Sequence, residues 1–159
     1  MRRALERART RASAILMLAA LAGCKGHEFH PPDKAQQIAQ ADSAYSRALF
    51  DSIKWPSESG RLLAGNEVYA RKCDKCHGPL GAGGTDYARA NNIEVPSLVE
   101  PDWPFDNDHE AVRRKIFTGH VNGMPTWGVA ELSPREIDAA TAYVLEQLRP
   151  DALGKTQRR

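Results

Sequence analysis

The sequence predicts an all-α domain. Apolar residues recur at helical spacing, no run alternates apolar and polar residues as a half-buried strand would, and glycine and proline gather in one long stretch between helical patterns. A chain of 159 residues has room for one such domain and an extra segment. With 42% apolar but only 7% aromatic residues, a large core must draw on aliphatic side chains or on something other than protein.

The elements follow in order. Met1 to Arg11 is basic, and Ala12 to Cys24 ("ASAILMLAALAGC") is apolar, ending in small residues. That pattern reads as a secretory signal too short to span a membrane. Arg2-Arg3 invites a twin-arginine reading that the next residues do not support. Leu21-Ala22-Gly23-Cys24 resembles the lipobox of bacterial lipoproteins, which implies cleavage before Cys24 and acylation of its thiol. The plainer alternative is an ordinary signal with an incidental cysteine. Removing residues 1–23 takes away five arginines and Glu6, leaving 17 basic against 19 acidic residues, a balance of −2 in place of +2. No nucleic-acid partner is expected of such a surface.

Residues 24–57 read as a lipidated N-terminus and a helical or flexible linker. Ile38, Tyr45, Leu49 and Ile53 share one face of a single expected helix after Pro31-Pro32, read as a spacer holding the domain off a membrane in preference to a docking element. The domain itself is expected over 58–149. A helix through "RLLAGNEVYARKC" leads into the cysteines, and a long irregular stretch follows. A second helix spans "NDHEAVRRKIFTG", capped by Asp106 or Asn107 and stopped by Gly119. The last helix opens on the capping box Ser133-Pro134-Arg135-Glu136 and carries Ile137, Ala140, Thr141, Val144, Leu145 and Leu148 at helical spacing until Pro150. Residues 150–159 read as a disordered tail.

The chemistry is concentrated in Cys73-Asp74-Lys75-Cys76-His77. Zinc wants four ligands, and no second pair at comparable spacing exists once Cys24 carries lipid. A thiol–disulfide pair normally opens a helix after a strand, whereas this motif ends a helix. The third chemistry is haem attachment: two thiols two residues apart match the vinyl groups along one porphyrin edge, and the adjacent histidine lies under the iron. A His/Met haem then needs a methionine on a later loop. Met1 and Met17 leave with the signal, so Met124, in "NGMPTWG", is the candidate. Its rival is His120. The nearby "GPLGAGGT" looks like a phosphate cradle but lacks the following Lys-Ser/Thr and a preceding strand. Arg113-Arg114-Lys115 reads as a solvated helix face, and Lys72 and Lys75 either aid solubility or orient a redox partner.

From about Gly60 to Leu148 the chain resembles the small class I cytochromes c. Besides the haem motif, Gly65 and Tyr69 match that family's small-plus-aromatic pair on its first helix, Tyr143 matches the aromatic of its last, and "VPSL" resembles its Pro-x-Leu. The resemblance implies the class I fold, three to five short helices around one covalently bound haem c, with Cys73 and Cys76 as thioethers and His77 and Met124 as axial ligands. It further implies that the Pro96 carbonyl accepts the His77 imidazole N–H and that Leu98, Tyr69, Ile116 and Trp127 wall the haem. Ala140, smaller than the residue often found three before the aromatic, departs from the pattern. The expected function is a membrane-tethered, monomeric, monohaem carrier of single electrons, not an enzyme. It would sit on the periplasmic side of a bacterial envelope, among membrane-bound or periplasmic redox proteins such as an oxidase, a reductase or a bc-type complex. The alternative is a haem sensor or peroxidase-like enzyme in which Met124 is displaceable.

Overall fold

The computed structural model describes residues 31–154. The apolar N-terminal run and Cys24, for which a signal and lipid attachment are expected, lie outside the described residues, as do residues 155–159 of the expected tail. Helices α1 (Lys34–Ala44) and α2 (Ala48–Asp51) come first, then α3 (Glu58–Lys72), α4 (Asp74–His77), α5 (Asp86–Ala90), α6 (His109–Thr118), α7 (Trp127–Ala130) and α8 (Pro134–Ala142). A π-helical stretch, Tyr143–Leu148, continues α8 into α9 (Arg149–Ala152). No strand occurs among the described residues. Helices α3–α4 and α8–α9 each run nearly continuously, so residues 58–152 form five rods, an all-α cytochrome c fold.

The described part of the expected linker, from Asp33 to Ile53, is packed on the domain. Asp33 and Gln36 close a reciprocal capping box that starts α1 (2.8 and 3.0 Å). The expected single helix breaks where Tyr45 turns extended (φ −67°, ψ 132°). The break changes the helical register: Leu49, expected inside, is 39% exposed, and Phe50 is buried instead. Ala41 is fully enclosed, and Arg114 of α6 grips both Asp42 oxygens (2.7 and 2.9 Å). Helices α1 and α2 are therefore docked parts of the domain.

Ser57 caps α3 through the Gly60 N–H (3.1 Å). Gly65 lets α3 cross α8 with the backbones almost touching: a β-carbon there would collide with the Ala139 carbonyl and lie 2.7 Å from Tyr143 Cβ. Asp108, rather than Asp106 or Asn107, caps α6 (2.9 Å to the Ala111 N–H), because Asn107 takes a left-handed turn (φ 62°). The Ser133–Glu136 capping box opens α8 as expected. Pro150 does not end that rod. The π-helical turn moves the Arg149 N–H onto the Val144 carbonyl, five residues back, and this wider turn carries the chain past a proline that can donate nothing.

Phe50, Val68, Val112, Ile116, Phe117, Leu132, Ile137 and Leu145 form the main core. Asp138 of α8 receives Trp55 Nε1 (2.8 Å), Arg61 Nε (3.0 Å) and Arg113 Nη2 (2.6 Å), joining α3, α6 and the segment between α2 and α3 to one carboxylate. The buried Arg149 donates to Asp106 Oδ1 (3.1 Å) and to the carbonyls of Leu98 and Glu100, holding the loop before α6 against the last rod.

Candidate functional site

Helix α3 delivers the cysteine motif without a break. The Cys73 N–H still donates to the Tyr69 carbonyl (2.8 Å), and Cys76 and His77 donate back to the Cys73 carbonyl (3.1 and 2.9 Å). Residues three and four apart on such a turn share a face, so both thiols and the imidazole line one cavity. Gly78 (φ 76°) ends the turn, and the buried Tyr69 hydroxyl donates to its carbonyl (2.7 Å). The glycines beyond let two loop strands pass closely: the Gly83 N–H donates to the His77 carbonyl (2.8 Å), and a β-carbon on Gly83 would lie 2.6 Å from the Val95 carbonyl.

The cavity measures about 820 Å³. Every residue expected at the haem lines it: Cys73, Cys76 and His77 on one side, Pro96 and Leu98 from the loop, Tyr69 from α3, Ile116 from α6, and Met124 and Trp127 from the turn around α7. Leu98 is fixed by its N–H to the Gly81 carbonyl (2.7 Å). Met124 is fixed by its carbonyl, which accepts from the His120 N–H (3.1 Å). The His120 ring lines the same cavity, but it is exposed and its Nδ1 accepts from the Asn122 N–H (3.2 Å).

Sequence reasoning missed part of the wall. Val112 lies four before Ile116 and Val144 four after Ala140, so helical spacing could have found both. Ile93, Trp103 and Phe105 come from the irregular loop, where no periodicity marks them. Ala140 itself lines the cavity, and its small side chain leaves space there.

The electrostatics separate the candidate chemistries. Burial, then the neighbouring Cys76 and Asp74, pushes the Cys73 thiol up to about 12. A redox pair needs a thiol pulled the other way. Among the described residues no group of three or more His, Cys, Asp or Glu side chains is arranged to hold a metal ion, so a zinc knuckle has no ligand set. Burial lowers the His77 imidazole, which favours the neutral form that ligates metals. Its Nδ1 is buried without a partner among the described residues, so the expected bond to the Pro96 carbonyl is not formed.

These residues suit a haem. The volume lies in the range of about 300–1,000 Å³ usual for cofactor pockets, the walls are mainly aliphatic and aromatic, and a thioether, an imidazole and two thiols converge on them. An all-α scaffold around such a chamber defines a class I c-type cytochrome domain. The chain belongs to the family described as cytochrome c oxidase, cbb3-type, subunit III, whose profile matches residues 60–144. It is 28% identical over 121 residues to the cbb3-type cytochrome c oxidase subunit CcoP of Rhodobacter capsulatus, covering 72% of this chain and 38% of that one. It is 29% identical over 90 residues to subunit FixP of Bradyrhizobium diazoefficiens, covering 56% and 29%. Cytochrome c6 of Limnospira maxima is 32% identical over 89 residues, covering 55% of this chain and 94% of its own. The chain thus spans well under half the length of the oxidase subunits it matches. No solved structure matches significantly. Covalently bound haem c, with its iron, is the cofactor, and electron transfer is the function these relatives share.

Proposed function

We propose that this chain is a membrane-tethered monohaem cytochrome c, with a signal peptide at 1–23, lipid on Cys24 and the haem-binding domain extending from Asp33 to about Ala152. Cys73 and Cys76 hold the haem as thioethers, and His77 and Met124 are its axial ligands. The observation that carries the reading is the single apolar cavity into which those four side chains converge. Haem c supplies an Fe(III)/Fe(II) couple. The chain's own residues would set its character: burial favours the neutral His77 imidazole that ligates iron, and a Met124 thioether together with mainly apolar walls would raise the potential. Were His77 and Met124 both to hold the haem iron, they would leave no open position for substrate chemistry.

The partner is a membrane-bound redox complex on the periplasmic side. The names of the relatives support an oxidase of the cbb3 class. Among the described residues no helix is long and apolar enough to cross a membrane. A lipid at Cys24 would keep the domain at the membrane surface and raise its effective concentration near such a complex.

The test is optical and electrochemical. Oxidised holoprotein is expected to show the long-wavelength charge-transfer absorption of a sulfur–iron bond, and Met124→Ala to abolish it and lower the potential. An unchanged spectrum and potential would eliminate the carrier reading in favour of a sensor or peroxidase-like haem protein.

A further inference from the structure

The family match begins at residue 60, yet helices α1 and α2 before it are packed into the domain. Their contacts lead to the loop that bears Met124. The Tyr45 ring stands edge-on to the Phe117 ring, centroids 5.3 Å apart at 77°. Phe117, at the end of α6, is 4% exposed, and its ring fills the space where a β-carbon on Gly128 would sit. Gly128 follows Trp127 in α7, so Phe117 supports the far end of the Met124 loop. The near end is Gly119 (φ 73°), so close to the loop that a β-carbon there would lie 2.6 Å from the Met124 carbonyl.

Tyr45 is itself held from three sides. Its hydroxyl donates to Glu110 Oε1 (2.8 Å), its ring meets Phe50 (5.9 Å between centroids), and Arg114 lies 5.7 Å from the ring centre while gripping Asp42. A packed interior transmits displacement, since its side chains interlock with little free space. We propose that Tyr45 is a positioning residue for Met124, acting through Phe117, and that α1–α2 form a clamp that keeps the thioether on the iron. The inference rests on Met124 being the axial ligand.

Exogenous imidazole competes for the position Met124 takes, so its affinity reads how firmly the loop holds the sulfur. In oxidised holoprotein, Tyr45→Ala is expected to bind imidazole about tenfold more tightly than the parent and to lose part of the charge-transfer band. Tyr45→Phe keeps the ring and should match the parent. Val68→Ala, a truncation of a buried α3 residue that does not line the cavity, supplies a comparison in which stability falls but imidazole affinity stays at the parent's value. Should Tyr45→Ala fail to take up haem, Tyr45→Leu serves in its place with the same expected direction. Parent-like imidazole affinity in the truncated Tyr45 variant would overturn the clamp, as would an equal rise in Val68→Ala. Absence of the band from the parent would instead remove Met124 as ligand, a separate failure.

Discussion

Replacing Arg149 by methionine probes how the loop before α6 is held. The guanidinium is 1% exposed and donates to Asp106, to the Leu98 carbonyl and to the Glu100 carbonyl (3.2 Å), with the Trp103 ring centroid 4.7 Å away. Methionine keeps the aliphatic bulk and removes every donor. Leaving a buried ion pair without one partner costs about 3–5 kcal/mol. Asp106, with its side chain 31% exposed, can recover water, which sets the expectation at the lower end, about 3 kcal/mol. For a domain between the usual calibration sizes that is a fall in Tm of roughly 12 °C. Urea titration by far-ultraviolet circular dichroism measures it, with Asp106→Asn completing a double-mutant cycle. A loss below about 1 kcal/mol, or a cycle with no coupling, would refute the claim that Arg149 fastens this loop.

Gly65→Ala should destabilise, although alanine in a helix interior usually gains about 1 kcal/mol over glycine. The collision with the Ala139 carbonyl forces α3 off α8 at an overpacking cost of about 1–3 kcal/mol, so a stabilised variant in thermal melts would contradict the crossing geometry. For Asp138, burial would raise the carboxyl, but the Trp55 bond and the Arg61 and Arg113 charges outweigh it and hold it below its ordinary value. A depressed folded-state value gives stability that is present above the unfolded pKa of about 3.9 and is lost as pH falls through the folded one. The stability advantage of the parent over Asp138→Asn, from urea midpoints at stepped pH, should therefore shrink below about pH 4. A constant difference would show that the carboxylate does not titrate as part of this network.

Much of the domain was legible because its signals are local. The Ser133–Glu136 box and the spacing of Ile137, Ala140, Val144 and Leu148 specify the last rod, and Cys73 to His77 form a contiguous motif. The rest depends on distant partners. Nothing near Tyr45 announces a break in the helix; the break is stabilised by Phe117, Glu110 and Arg114, more than sixty residues away. Pro150 is a sound stop signal, overridden by a π-helical turn that packs Val144 and Leu148 against the Tyr69 side of the core. His77 Nδ1 was assigned the Pro96 carbonyl by resemblance, but it has no partner among the described residues, and no local pattern in the sequence marks where that loop backbone passes.

The unit that folds is larger than the stretch the family profile matches. A recombinant fragment trimmed to begin at residue 60 would discard Trp55, leaving Asp138 short of a donor, and Asp42, leaving Arg114 without its carboxylate. It would also strip Phe50 and Tyr45 from the core around Phe117 and Ile137, opening an apolar scar there. Anyone excising this domain for crystallisation, or grafting it onto another carrier, should cut before Asp33.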